Sequence, residues 1–281
     1  MLIRLFNWVQ GLFCCLALAS LLFSCQSDKE NAEVTPVKES VTLKVMTYNI
    51  WGARPEGIPD LQKIADVINR VKPDLVALQE VDVYTRRNGV NVHVARELAK
   101  LCGMGYFFAR AMDYGGGEYG DAVLSRIPIK DAKAYTLSVV PEVGGEQRSV
   151  ARITVEVGGE ELYFVSTHFD HLSNEANRIR QAEEFSSLVR SFDKPVIVGA
   201  DFNALPDSEP VRILRTQLVL GCRNNICGQP TFPTSNPNRV IDYIMYTGLE
   251  KLSVSNYEVP QWAYQASDHF PVIANFKYKP D

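Results

Sequence analysis

The chain has 281 residues, 46% of them hydrophobic and 22% charged, with 29 Lys and Arg against 33 Asp and Glu for a formal charge of −4. That composition excludes intrinsic disorder, and the 18 Gly and 15 Pro follow no period, which excludes a collagen-like architecture. The acidic balance argues against tight binding of duplex nucleic acid, which needs several Lys or Arg set against phosphates, although a local basic patch stays open.

Residues 1–24 carry one charge, Arg4, and an apolar run from Leu12 to Phe23 that ends at Ser24-Cys25. The run is too short to favour a spanning helix and reads as a secretory signal. Leu22-Phe23-Ser24-Cys25 resembles the bacterial lipobox, whose cysteine is lipidated and becomes the new N-terminus. Cys25 is thus the expected lipidation site, and the expected location is the bacterial cell envelope, at the outer membrane or cell surface, with the lipid as membrane anchor. A plain cleaved signal or a short membrane anchor are the alternatives; both leave the rest of the chain outside the cytoplasm. Residues 25–40 read as a flexible polar tether and residues 41–281 as one domain, expected to be monomeric. Loss of Arg4 leaves 28 basic against 33 acidic residues, so export does not change the sign.

The domain opens with an apolar strand from Val41 to Asn49 and Ile50, followed by Leu61, Ile64, Ala65 and Ile68 at helical spacing. Pro73 ends that helix, and Leu75 to Glu80 forms a buried strand with a carboxylate at its end. A helix is expected over Val92 to Leu101 and a strand over Tyr106 to Ala111. Gly115 to Gly120 reads as a flexible turn leading into a strand from Ala122 to Arg126; it lacks the Lys-Ser/Thr ending of a P-loop. Two strands flanking Gly158-Gly159 read as a hairpin, and Ile179 to Phe192 as an amphipathic helix. Pro195 to Asn203 is a buried strand delivering polar residues at its exit, and a helix is expected around Val211 to Leu218. Val240 to Tyr246 and Pro271 to Tyr278 complete the strands. Cys222 and Cys227 lie five positions apart in a turn-rich stretch where an oxidising compartment permits a disulfide; Cys102 reads as a buried free thiol, and no paired Cys or His set suggests zinc. Strands and helices interleave with hairpins, which points to a mixed α/β sandwich.

Six of the apolar runs end in, or run through, residues suited to metal or phosphate chemistry: Asn49, Glu80, His168, Asp201 with Asn203, Asp242, and Asp268 with His269. A strand-end Asp or Asn is most often a turn former, so the force lies in the set. Thr47-Tyr48-Asn49-Ile50, Leu78-Gln79-Glu80, Ser166-Thr167-His168, Gly199-Ala200-Asp201-Phe202-Asn203, Ile241-Asp242-Tyr243-Ile244 and Ser267-Asp268-His269-Phe270-Pro271-Val272 together resemble, in order and spacing, the endonuclease/exonuclease/phosphatase (DNase I-like) family across residues 43 to 278. The resemblance implies a four-layer α/β sandwich with two central mixed β-sheets flanked by helices, the site lying where strand-end loops meet.

Phosphoester cleavage needs charge neutralisation on phosphate, an activated water and a stabilised leaving oxygen. Glu80 is a hard ligand suited to Mg²⁺, or to Mn²⁺, and the resemblance places Asn49 and Asp268 near that metal as direct or water-mediated ligands. It also implies that Asp242 orients His269 as a water-activating pair, and that Asp201 and Asn203 position the water or leaving oxygen and donate to phosphate. Whether Asp201 or His269 takes the proton stays open. His168 fits the nuclease, sphingomyelinase, deadenylase and inositol phosphatase branches, as a donor to phosphate or to the leaving oxygen; Glu118 is the carboxylate expected beside it. Arg148 stands where relatives present an arginine to phosphate. His171 is a weaker substrate contact, His93 reads as structural and Asp170 as a local hydrogen-bonding group. Asp121 replaces the commoner Asn of a Gly-Asn-Ala sequence and would add negative charge near the rim.

The expected activity is divalent-metal-dependent hydrolysis of phosphoesters. The alternative is a phosphate-ligand or interaction protein that keeps the fold without turnover. Nucleic acid and phospholipid headgroup or inositol and sugar phosphates are both open as substrates; Arg86-Arg87 is the one adjacent basic pair in the chain.

Overall fold

The computed structural model describes residues 39–222, 224 and 227–280. The expected signal, the expected lipidation site Cys25 and nearly all of the expected tether lie outside the described residues. In chain order the elements are β1 (Val41–Asn49), α1 (Leu61–Val71), β2 (Leu75–Val83), α2 (Val94–Cys102), β3 (Gly105–Tyr114), β4 (Gly117–Ser125), β5 (Asp131–Leu137), β6 (Arg148–Val157), β7 (Glu160–His168), α3 (Ala176–Arg190), β8 (Val196–Asp201), α4 (Glu209–Leu214), β9 (Val219–Leu220), β10 (Asp242–Tyr246), β11 (Leu252–Glu258) and β12 (Val272–Tyr278).

They build two six-stranded sheets, ordered β11-β12-β1-β2-β4-β3 and β5-β6-β7-β8-β10-β9. Each is antiparallel except for one central parallel pair, β1 with β2 and β7 with β8. Successive side chains of the central strands bury on opposite faces, which is why these strands are apolar over much of their length. Val45, Leu75, Ile153, Phe164 and Ile197 meet between the sheets. Met46, Tyr48, Val76 and Leu78 pack outward with Ile64, Ile68 and Leu98 of α1 and α2, while Val165, Val196 and Val198 pack with Phe185 and Val211 of α3 and α4. The result is the expected helix, sheet, sheet, helix layering.

Several boundaries differ from the sequence expectation. The second helix begins at Val94 because His93 caps it, its ring accepting from Arg96 N–H, and it stops at Gly103 in the left-handed region. Helix α4 runs over Glu209–Leu214 rather than to Leu218. Gly115 and Gly116, with φ of 56° and 85°, form a two-residue hairpin turn, and Gly117 onward is already β4 rather than flexible loop. Strands β5 and β11 were not expected; both lie at sheet edges and are largely exposed, so neither shows a clean apolar alternation. Cys222 and Cys227 form a disulfide, and Cys102 is buried and unpaired.

Near one end of the sandwich the sheets come unusually close. A Cβ on Gly199 would sit 2.7 Å from Ala77 Cβ and 2.8 Å from Thr47 Cβ in the opposite sheet. Beside it, buried Gln79 donates through Nε2 to Thr47 Oγ1 at 3.1 Å in its own sheet and to Ser166 Oγ at 3.0 Å across the gap. Gly199→Ala should therefore force the sheets apart at this end and cost about 1–3 kcal/mol, the usual price of overpacking. A lowered urea midpoint checks this; an unchanged midpoint would show that the sheets yield without cost.

Candidate active site

Strand register brings the polar strand ends to one rim. His168 at the end of β7 pairs with Asp201 at the end of β8, and Asp242 at the start of β10 pairs with the same Asp201. In the facing sheet, Asn49 ends β1 opposite Gln79. The segment Ser267–His269 leads into β12, whose Val272 lies opposite Thr47, and Ser267 Oγ ties the segment to Asn49 O at 2.8 Å. Glu80 reaches the rim through a bulge: Leu78 pairs with Ala122 and Val81 with Gly120, and Glu80 takes a φ of 59°. A bulge re-aims a side chain, and the left-handed backbone is local strain held by its surroundings.

These residues share a cavity of about 310 Å³, lined by Glu80, Arg148, His168, Asp201, Asn203, Asp268 and His269 among others. A larger cavity, about 670 Å³, runs between β9 and β11, but among the described residues no carboxylate, imidazole or cationic side chain lines it.

Asp201 is the hub. Its Oδ2 accepts from Asn49 Nδ2 at 2.9 Å, and its Oδ1 accepts from Asn203 N–H at 2.8 Å, a turn that Asn203 permits with its φ of 48°. The same Oδ2 stands 3.5 Å from His168 Nε2 and 3.8 Å from His269 Nε2. Burial, with the charge of Asp242 beside it, raises the pKa of Asp201.

The two histidines are driven in opposite directions. His269 Nδ1 lies 2.9 and 3.2 Å from the two oxygens of Asp242, and its ring packs against Phe232 at 4.5 Å. Burial alone would depress its pKa, but Asp242 and Asp201 overcome this and hold the ring protonated. His168 is buried beside Arg148, whose Nη1 donates to its Nδ1 at 2.9 Å, and Asn203 Nδ2 stands 2.9 Å from its Nε2. Burial first, then the charges of Arg148 and His269, push its pKa well down and keep it neutral.

Arg148 is itself buried and reaches Glu146 at 2.7 Å and His171 Nδ1 at 3.3 Å, so its guanidinium is fixed at the cavity wall. His171 is largely exposed and also lines the cavity. The Asp170 carboxylate accepts from the backbone amides of Glu146 and Leu172.

Two expectations need correction. Glu118 does not join His168: it sits half-exposed on β4, 3.6 Å from Arg110, and its place beside the imidazole is taken by Asp201. Asp121 is buried rather than at an open rim, and burial pushes its pKa up to about 8, which removes its charge at neutral pH. Asn49 Oδ1 accepts from Trp51 N–H at 3.0 Å, and its amide nitrogen bridges Glu80 and Asp201, so Asn49 ties the carboxylates of the two sheets together. Sequence reasoning missed Trp51, Arg87, Tyr114, Glu146 and Phe232, which line the cavity from loops or a hairpin end and belong to no motif that marks them. Arg87 is pinned by Asp82 at 2.6 and 2.8 Å and stacks on Tyr114.

Two groupings could hold a cation. Asp201, Asp242 and His269 present donor atoms within 4.8 Å of one another, but the shared hydrogen bond between Asp242 and His269 already occupies that set. Glu80 and Asp268 fit better. Both face the cavity, burial and the neighbouring Glu80 charge push Asp268 up to about 6, and no cationic side chain among the described residues pairs with either. Uncompensated hard carboxylates suit Mg²⁺ or Mn²⁺. Either ion at about 100 times its Kd should stabilise the protein by about 2.7 kcal/mol, and Glu80→Gln should abolish most of this shift. Thermal denaturation with and without the ion checks it; an equal shift in both proteins would move the cation elsewhere.

Residues 46–269 match the Endonuclease/Exonuclease/phosphatase family. An uncharacterized protein of Escherichia coli strain K12, YbhP, is 27% identical over 255 residues, covering 84% of this chain and 96% of YbhP. Among solved structures, an endonuclease/exonuclease/phosphatase from Beutenbergia cavernae superposes with a TM-score of 0.68 at 22% identity, covering 85% of this chain and 72% of that one. The mannosyl-6-phosphatase Bt3783 of Bacteroides thetaiotaomicron superposes with a TM-score of 0.62 at 20% identity, covering 83% and 99%. At these identities the superpositions establish the fold, and the family match over most of the domain settles membership: this chain belongs to the endonuclease/exonuclease/phosphatase family.

Proposed function

We propose that this protein is a divalent-cation-dependent phosphoester hydrolase that attacks phosphorus with an activated water. The observation that carries the reading is the convergence in one cavity of Glu80, Asp268, Asp201, Asn203, Arg148 and both buried histidines. A binding protein would have no use for a carboxylate set between two histidines of opposite charge state.

A cation held by Glu80 and Asp268 would supply charge neutralisation at phosphate. The chain's own residues do the rest. Arg148 and Asn203 line one wall and can donate to non-bridging oxygens, and His168, kept neutral, adds an N–H without adding charge. Asp201 Oδ2, set between the two imidazoles, is placed to accept the proton of the attacking water. His269, held protonated by Asp242, acts as a donor that stabilises developing negative charge. The proton-accepting role thus goes to Asp201, and Asp242 serves to orient and charge His269. Hydrolysis of bis-p-nitrophenyl phosphate with Mg²⁺ or Mn²⁺ should fall by about 10²–10⁴-fold in Asp201→Asn and in His269→Ala. Equal rates in the variants and the wild type would sink the site.

For substrate, the cavity favours a small phosphorylated compound, a sugar phosphate or polyol headgroup, over a duplex. Its outer wall is aromatic, with Trp51, Tyr114 and Phe232, and the outer guanidinium of Arg87 is already neutralised by Asp82. The structural likeness to a mannosyl-6-phosphatase agrees with this preference. Turnover of sugar and inositol phosphates should exceed that of plasmid DNA and RNA in a side-by-side panel; the reverse ranking would overturn the substrate and leave the hydrolase standing.

A further inference from the structure

Between β1 and α1 the chain turns through a run of left-handed residues. Trp51, Gly52 and Ala53 take φ of 49°, 62° and 54°, and Glu56 and Gly57 follow at 57° and 79°. Glycine adopts such angles freely, but a Trp or an Ala does so only where its surroundings hold it. Here they do. Asn49 Oδ1 accepts from Trp51 N–H at 3.0 Å, Ala53 N–H donates to Ile50 O at 2.7 Å, and buried Asn88 donates through Nδ2 to Gly52 O at 2.7 Å. The Arg54 guanidinium adds bonds to the carbonyls of Arg87 and Gly57. Arg87, fixed by Asp82, packs so close that a Cβ on Gly52 would stand 2.9 Å from its Nη2.

What this strain secures is the place of one side chain. Gly52 and Ala53 are buried, yet Trp51 is left 40% exposed and lines the cavity that holds Asp201 and His269. Among the described residues no ring or cation stacks on the Trp51 indole, whereas Arg70 lies 3.9 Å over the ring of the other exposed tryptophan, Trp262. Strain that holds a large apolar ring open at the mouth of a site, instead of burying it, points to a ligand. The same cavity has polar partners to offer. Glu146 and His171 are both partly exposed and lie 2.7 and 3.3 Å from the buried Arg148 guanidinium. A carboxylate accepts from hydroxyls, and an imidazole can accept or donate. A pyranose ring matches both halves, with an apolar C–H face and a rim of hydroxyls. An acyclic polyol lacks the face, and a nucleobase lacks the rim.

We propose that Trp51 is the stacking platform for the leaving group and sets specificity for phosphates carried on a pyranose ring. The C–H face of the sugar lies on the indole, its hydroxyls reach Glu146 and His171, and its phosphate is held at Arg148 and Asn203. The proposal rests on the phosphate-binding reading of the cavity given above, and binding tests it without turnover. The uncleavable phosphonate analogue of glucose 6-phosphate, titrated calorimetrically with Mg²⁺ present, should bind the wild type about tenfold more tightly than the phosphonate analogue of glycerol 3-phosphate, which has no ring. Trp51→Ala keeps the backbone N–H that Asn49 holds. It should lose that tenfold preference while its affinity for the acyclic analogue stays within about twofold, and Trp51→Phe should keep most of the preference. An equal loss for both analogues would mean that Trp51 shapes the phosphate site and not the leaving-group site, and no loss for either would mean that the indole touches neither; each result overturns the proposal. So does an adenosine phosphonate that binds more tightly than the sugar analogue and suffers most in Trp51→Ala, since the platform would then take a base. If neither analogue binds the wild type, the phosphate site fails and the proposal falls with it. A failed platform with hydrolysis of bis-p-nitrophenyl phosphate intact leaves the hydrolase standing. The held backbone has its own readout: Trp51→Gly should show a higher urea midpoint than Trp51→Ala, because glycine meets no penalty at a φ of 49°. The reverse order would mean that the loop is not held left-handed, and would overturn the fixed platform.

Discussion

The contact on which the rest depends is the close approach of the two sheets at Gly199. Only a residue without a side chain lets β8 come against Thr47 and Ala77, and the buried Gln79 amide then locks that end with hydrogen bonds to Thr47 and Ser166. Asp201 and His168 belong to one sheet, Asn49 and Glu80 to the other. A single Asn49 amide spans them, donating to Glu80 at 3.1 Å and to Asp201 at 2.9 Å. Hydrogen bonds of that length tolerate little displacement, so the spacing of the sheets sets the geometry of the chemistry.

Given that spacing, electrostatics assigns the parts. Five acidic groups, Glu80, Asp121, Asp201, Asp242 and Asp268, converge where solvent is largely excluded. Each has a different answer to that crowding. Asp242 takes an imidazolium as partner, Asp201 accepts amide donors from both sheets, Asp121 gives up its charge, and Glu80 with Asp268 face the cavity as the pair left for a cation. Different environments for like groups are how one site performs both acid and base work.

Much of this was legible in the sequence. Asn49, Glu80, His168, Asp201, Asn203, Asp242, Asp268 and His269 sit at strand ends with the spacing of a known family, and the structure gathers all of them. The four layers were implied by that family resemblance, while the interleaving of strands and helices alone pointed only to a mixed α/β sandwich. Other features were hidden for physical reasons. Edge strands β5 and β11 bury too little to show a pattern. Glu118 was read from a glycine-rich segment as a mobile neighbour of His168, yet those glycines make a tight hairpin that fixes Glu118 beside Arg110. The cavity walls, Trp51, Arg87 and Phe232 among them, depend on loop paths that no periodicity encodes. The burial that raises the pKa of Asp121 is visible only in three dimensions.

The pairing of β1 with β12 has a consequence for biogenesis. Val41 lies opposite Tyr278, and the two strands run side by side in the middle of their sheet. During synthesis the first strand of the domain must wait, with one edge unmet, until nearly the whole domain has left the ribosome. The segment that enters β12 also carries Asp268 and His269. Asp268 and His269 are therefore supplied last, after Glu80, Asp201 and Asp242 have already left the ribosome.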